Sequence, residues 1–159
     1  MLYKYPSIYW EKFNSISYRY CQTRDSKPLL KKHYQLPTPK VDGLNFSFSG
    51  LKNAVFQLVK KEENAGREII KEDLSYAFQE RALGLLIKKT KLALEEYPCK
   101  SVVIAGGVAC NSRLRELMQE NFSDYDLILP PLKYCTDNAL MIACAAMHYL
   151  KNEKFVDYN

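Results

Sequence analysis

The stretch VVIAGGVACNSRLR, residues 102–115, decides the fold. Ser101 to Ala105 is a short apolar run with two adjacent valines and an isoleucine, which suits a buried strand of a parallel sheet. The chain has only six glycines, and it places Gly106 and Gly107 directly behind that strand. Without Cβ atoms the backbone can turn sharply there and approach another group closely. Asn111 or Ser112 then caps a helix carrying Arg113, Leu114, Leu117 and Met118. A strand, a glycine turn and a helix start leave backbone N–H groups at the C-terminal edge of a sheet, where α/β proteins bind phosphates and nucleotides. A tight βα turn that needs glycine only for its geometry would read the same way. The stretch is not a Walker loop, since no Gly-Lys-Ser/Thr follows, and it lacks GxGxxG spacing.

Downstream, YDLILP (125–130) reads as a second strand ending at Pro130 and Pro131. TDNALMIACAAMHYLKN (136–152) reads as a helix capped by Thr136 or Asp137. It is apolar nearly all round and rich in small residues, so it is expected to be buried on most sides. The order β-α-β-α from Ser101 makes the sheet parallel and the class α/β.

Upstream, Leu74, Phe78, Ala82, Leu85, Leu86 and Leu92 recur at helical spacing from about Lys71 to Glu96, with Pro98 as the stop. FSFSGLKNAVFQLVKKEE (46–63) suggests a short strand over Leu44 to Phe48, then a helix capped by Ser49 with Leu51, Val55, Leu58 and Val59 inward. Before residue 40 the chain changes character. Met1 to Gln35 is rich in Tyr, Ser, Lys and Asn without a clean period, and LPTPKVDG (36–43) is a Pro-spaced linker. The organisation expected is an irregular arm and linker over 1–40, one domain over 41–150 and a tail over 151–159.

At 159 residues, 47% hydrophobic and 26% charged, the chain has room for one ordinary globular domain. No apolar run approaches the ~20 residues that span a bilayer, and the first residues show no secretory pattern. Cys21, Cys99, Cys110, Cys135 and Cys144 form no CxxC pair, which suits reduced thiols in the cytoplasm rather than a disulfide framework or zinc site. A net charge of +5 permits a nucleic-acid partner without requiring one, and the lysine runs suit solvated helix faces.

Two polar positions stand out as site candidates. Asn111 follows the first strand of the βαβα unit and Asp137 the second, so both lie beyond strand ends and can face one crevice. Asp137 suits either a helix cap or a metal ligand. The only histidines, His33 and His148, are poorly placed to join it, so no complete metal site is encoded. Cys110, at the helix start, is either a thiol with lowered pKa or a small packed side chain.

Three segments in order carry a family resemblance: DGLNFSFSGLKNAV (42–55), VVIAGGVACNSRLRELM (102–118) and CTDNALMIACAA (135–146). They resemble the TsaD family, which makes threonylcarbamoyladenosine in tRNA and was formerly described as an O-sialoglycoprotein endopeptidase. The resemblance covers about residues 40 to 150. It implies part of the second domain of an actin-like ATPase (ribonuclease H-like) fold, parallel strands with packed helices. It also implies transfer of a threonylcarbamoyl group from threonylcarbamoyl-AMP to adenosine 37 of tRNA, in the cytoplasm, with other subunits of a synthesis complex. Carried over by motif, Gly106 and Gly107 admit the adenylate and Asn111 hydrogen-bonds the nucleotide. Asp137 matches the carboxylate that ligates the family's active-site metal, usually iron. Ser47 and Ser49 match positions near the cleft and receive no chemistry.

The departures are as specific. The family's pair of metal-binding histidines belongs to a first domain that is absent here, as does its first glycine-rich loop. Tyr5-Pro6 is all that matches the family's YPGGP, and the motifs resume only near Leu36. A truncated copy with a frame-shifted or decayed first stretch is the simplest expectation, inactive alone. The alternative is a non-catalytic scaffold of the same tRNA-modification complex. A zinc peptidase, as the older family name suggests, would need a His-Glu-x-x-His motif that the chain lacks.

Overall fold

The computed structural model describes residues 33–152. The arm through residue 32, with Tyr5-Pro6, and the tail from residue 153 lie outside the described residues. The elements run α1 (Phe48–Asn64), α2 (Lys71–Glu96), β1 (Ser101–Val103), α3 (Ser112–Asn121), β2 (Asp126–Ile128) and α4 (Ala139–Lys151). Short 3-10 turns over Gly107–Cys110 and Leu132–Tyr134 follow the two strands. β1 and β2 pair in parallel, with Ser101 opposite Asp126, Val102 opposite Leu127 and Val103 opposite Ile128. The α/β class with a parallel sheet is therefore present, as a small two-stranded sheet with packed helices.

The long helix α2 organises the packing because it is apolar on two opposite faces. Leu74 and Leu85, eleven residues apart, fall on one side at 3.6 residues per turn, while Leu83 and Ile87 fall on the other. The first face joins Tyr34, Leu36, Leu51 and Val55 in one core. The second joins Val102 of β1 with Leu114, Met118 and Phe122 of α3 and its C-terminus in another. Residues 34 and 36 thus pack into the first core, and the Tyr34 hydroxyl accepts the Ile70 N–H at the N-cap of α2 at 3.0 Å.

Three expectations need correction. No strand forms over 44–48: Phe48 already opens α1, and Ser47, not Ser49, is its N-cap, its Oγ accepting from Gly50 N at 3.4 Å. The strand-like alternation of FSFS has no described strand to pair with, since β1 and β2 pair only with each other. The cap of α4 is Asn138 rather than Thr136 or Asp137. Its Oδ1 accepts from Met141 N at 3.2 Å and its Nδ2 donates to the Thr136 carbonyl at 2.9 Å. Finally, α4 is exposed along its whole length, Ile142 by 74%. Its apolar surface states what the helix needs, but no described element covers it.

Candidate functional site

The glycine turn sits where β1 ends. Gly106 adopts φ 85° and ψ 175°, a conformation that side chains with a Cβ rarely reach. The chain then tightens into the 107–110 turn, with Ala109 N donating to the Gly106 carbonyl at 3.0 Å and Asn111 N to the Val108 carbonyl at 3.0 Å. Gly106 and Gly107 are both exposed, and a Cβ at either position would meet no atom within 4 Å. Positive φ explains glycine at 106. Gly107 has no such φ, and no described neighbour crowds it.

Asn111 is the N-cap of α3, and its Oδ1 accepts from Leu114 N at 2.9 Å. Its Nδ2 donates to Gln79 Oε1 at 3.2 Å, which ties the helix start to α2. Beside it, Arg113 forms a two-pronged pair with Glu80, at 2.9 and 3.2 Å, and a further contact with Glu116 at 3.2 Å. The Glu80 hydrogen bond is the main reason that the Arg113 guanidinium is held well above its ordinary pKa. The pair is partly exposed, so it registers the two helices more than it stabilises them. Removing the cap is the larger effect. Asn111→Ala is expected to lower stability by about 1 kcal/mol, read as a shift of the urea midpoint, whereas Asn111→Asp, which keeps the accepting oxygen, should recover most of it.

Arg115, one helical turn after Asn111, was not singled out by motif, although i, i+4 spacing places it on the same face. Its Nε donates to the Ala109 carbonyl at 2.6 Å, and its Nη2 donates to the Pro130 carbonyl and to Cys135 Sγ. It therefore straps the glycine turn to the segment that leads into α4. Cys110 lies in the same cluster. Burial pushes its thiol up, the neighbouring Cys135 thiol adds to this, and Arg115 opposes it less. The sequence-based possibility of a thiol lowered by the helix start is thus reversed.

Asp137 lies just before the N-cap of α4 and is exposed. The structure brings its segment, through Arg115 and Cys135, to the side of the fold that holds the glycine turn. Among the described residues, no three of His, Cys, Asp and Glu cluster closely enough to hold a metal ion. One exposed carboxylate does not fit an iron centre, which needs further donors. The geometry therefore offers an exposed glycine turn and a capped helix after β1 and an exposed carboxylate before α4, and carries no metal-dependent step by itself. No helix among the described residues is long and apolar enough to cross a membrane.

A parallel β-α-β-α unit with an exposed glycine turn at a strand end defines the class of α/β proteins that present a ligand-facing edge. The chain matches the sequence model of TsaD, described as tRNA N6-adenosine threonylcarbamoyltransferase, over residues 12–144, and belongs to that family. The matched range begins upstream of Leu36, where the legible motifs resume. Among its relatives, the tRNA N6-adenosine threonylcarbamoyltransferase of Streptococcus thermophilus (strain ATCC BAA-491 / LMD-9) is 48% identical over 118 residues, 74% of this chain and 35% of that protein. The protein of the same name from Streptococcus pneumoniae (strain CGSP14) is 47% identical over 120 residues, 76% of this chain and 36% of the relative. The chain spans about a third of the length of the curated relatives it matches.

Proposed function

We propose that this chain forms the nucleotide-facing part of a tRNA threonylcarbamoyltransferase site, within the second domain of an actin-like ATPase fold. Gly107 is the observation that carries the reading. Among the described residues it has neither a positive φ nor a crowded Cβ position, so a close approach from outside those residues accounts for glycine there. Gly106 and Gly107 admit the adenylate of threonylcarbamoyl-AMP against the backbone, and Asn111, which caps α3 and bonds Gln79, holds the helix start beside that approach. In the reaction, the N6 amine of adenosine 37 attacks the carbamoyl carbonyl carbon and AMP departs. This chain's share is to hold the leaving AMP in place. Asp137 would give one carboxylate to the family's iron, whose remaining donors would come from outside the described residues. The cytoplasm, where tRNA is modified, is the compartment this reading implies.

One observation favours the alternative, a non-catalytic module of the same tRNA-modification complex: α4 is apolar and wholly exposed, as a docking helix would be. A transfer assay separates the two. The purified chain, supplied with ferrous iron, preformed threonylcarbamoyl-AMP and tRNA, is expected to form no product alone. Adding a polypeptide that carries the remaining two-thirds of a relative is expected to restore transfer, and Asp137→Ala to remove it again. Product from the chain alone that disappears in Asp137→Ala would contradict the proposed division of the site. Failure of the supplemented chain would leave the docking module as the function.

A further inference from the structure

The glycine turn and the segment before α4 meet at a single carbonyl oxygen. Leu132 O accepts from the Cys135 backbone N–H at 3.1 Å and from the Cys110 thiol at 3.7 Å. Arg115 fixes both sides of this junction, one nitrogen on the Ala109 carbonyl beside Cys110 and another on Cys135 Sγ at 3.3 Å. The two cysteines differ in access: Cys110 is half-buried, whereas Cys135 is 2% exposed. The other described cysteines lie elsewhere, Cys99 bonded to the Ser101 carbonyl and Cys144 on exposed α4.

We propose that Cys110 and Cys135 form a reversible disulfide that closes the glycine turn onto the segment preceding α4, with a low-molecular-weight disulfide as the oxidant. Access sets the order of events. Cys110 gives its proton to solvent and its sulfur attacks one sulfur of the small disulfide. An S–S bond forms to Cys110, and the other half leaves as a thiolate that takes up a proton. Cys135 then gives its proton to solvent and attacks Cys110 Sγ, and the second half of the oxidant leaves as a thiol. The protein has lost two electrons and two protons, and the small disulfide has become two thiols. Cys110 Sγ and the Cys135 backbone N–H share the Leu132 carbonyl, so the two residues flank one oxygen, and closure brings their sulfurs to about 2.05 Å. The bond would fix the turn against residues 132–135. It does not depend on the nucleotide reading, since its chemistry and its assay involve neither ligand nor activity.

The test incubates the intact reduced chain with stepped ratios of oxidised to reduced glutathione, alkylates the remaining thiols and maps the peptides by mass spectrometry. The expected product is one internal disulfide, a mass lower by about 2 Da with no glutathione retained. The peptides containing Cys110 and Cys135 should be linked, and excess reduced glutathione should reverse the link. In Cys110→Ser, Cys135 should stay free at the same ratios. The wild-type map decides the matter even if a Cys135 variant does not fold. Stable accumulation of a glutathione adduct on Cys110, or links from either cysteine to Cys99 or Cys144 as frequent as the link between them, would overturn the proposal.

Discussion

Phe122→Ala is expected to cost about 3–5 kcal/mol of folding stability, enough to unfold much of the population of a chain with two small cores. Phe122 is 1% exposed, one of the largest side chains to be fully buried, and it closes the second core at the end of α3. Its backbone N–H still bonds the Met118 carbonyl at 3.0 Å, so the helix end survives the substitution and the loss is one of side-chain packing. The ring meets Tyr125 edge-on, with centroids 6.2 Å apart, and this contact holds the link between α3 and β2. The cavity would open between α2, α3 and the sheet, against the element that carries the glycine turn. Urea denaturation followed by circular dichroism measures the effect. A loss below about 1 kcal/mol would mean that the second core does not hold the sheet to α2.

The next largest effect belongs to the turn. Gly106→Ala is expected to destabilise by about 1–3 kcal/mol, the cost of forcing a side-chain residue into a region of backbone space used almost only by glycine. The reason is purely conformational, because a Cβ there would meet nothing within 4 Å. Gly107→Ala is the internal control. It has no positive φ and open space around it, so its stability should change by less than about 0.5 kcal/mol. The same denaturation series compares them. Equal losses at both positions would show that the backbone of the turn is not strained as described, and a large loss at 107 alone would mean that its Cβ position is occupied in solution.

What could be read from the sequence, and what could not, divides along physical lines. The strand, glycine turn and helix of residues 102–118 were legible because three independent signals agree there: β-branched run, paired glycines and a capping residue. Of the two cap candidates there, Asn111 and Ser112, Asn111 is the one that caps α3. The span of α2 was legible as well, but its two faces were not told apart. Leu92, on the face of Leu74, is exposed, while Leu86 joins the buried Leu83 and Ile87 in the second core. A helix between two cores loses the one-sided pattern that periodicity detects.

Caps among neighbouring polar residues were not legible in detail. Ser47 and Ser49, or Thr136, Asp137 and Asn138, are all competent cap residues, and the choice depends on where the chain enters the helix. Arg115 is not legible in sequence because two of its partners are the Ala109 and Pro130 carbonyls, which leave no mark there, and the third, Cys135 Sγ, is twenty residues away. The exposure of α4 was beyond sequence altogether. Its composition records a demand for burial, and burial depends on which surfaces are present to meet it. Among the metal expectations, Asp137 is exposed just before the N-cap of α4, and the described residues give it no co-ligands.

The central claim, that the Gly106-Gly107 turn recognises an adenylate, is tested most directly by NMR titration of the isotope-labelled chain with AMP. Binding is expected in the millimolar range, roughly 4 kcal/mol. Amide shifts should be confined to residues 105–113 and 135–139, and Gly107→Val, which puts a branched side chain where the backbone approaches the ligand, should abolish them. Saturating AMP that moves no amide in those segments, or Gly107→Val binding as well as the unaltered chain, would contradict the claim and leave the turn with a structural role only.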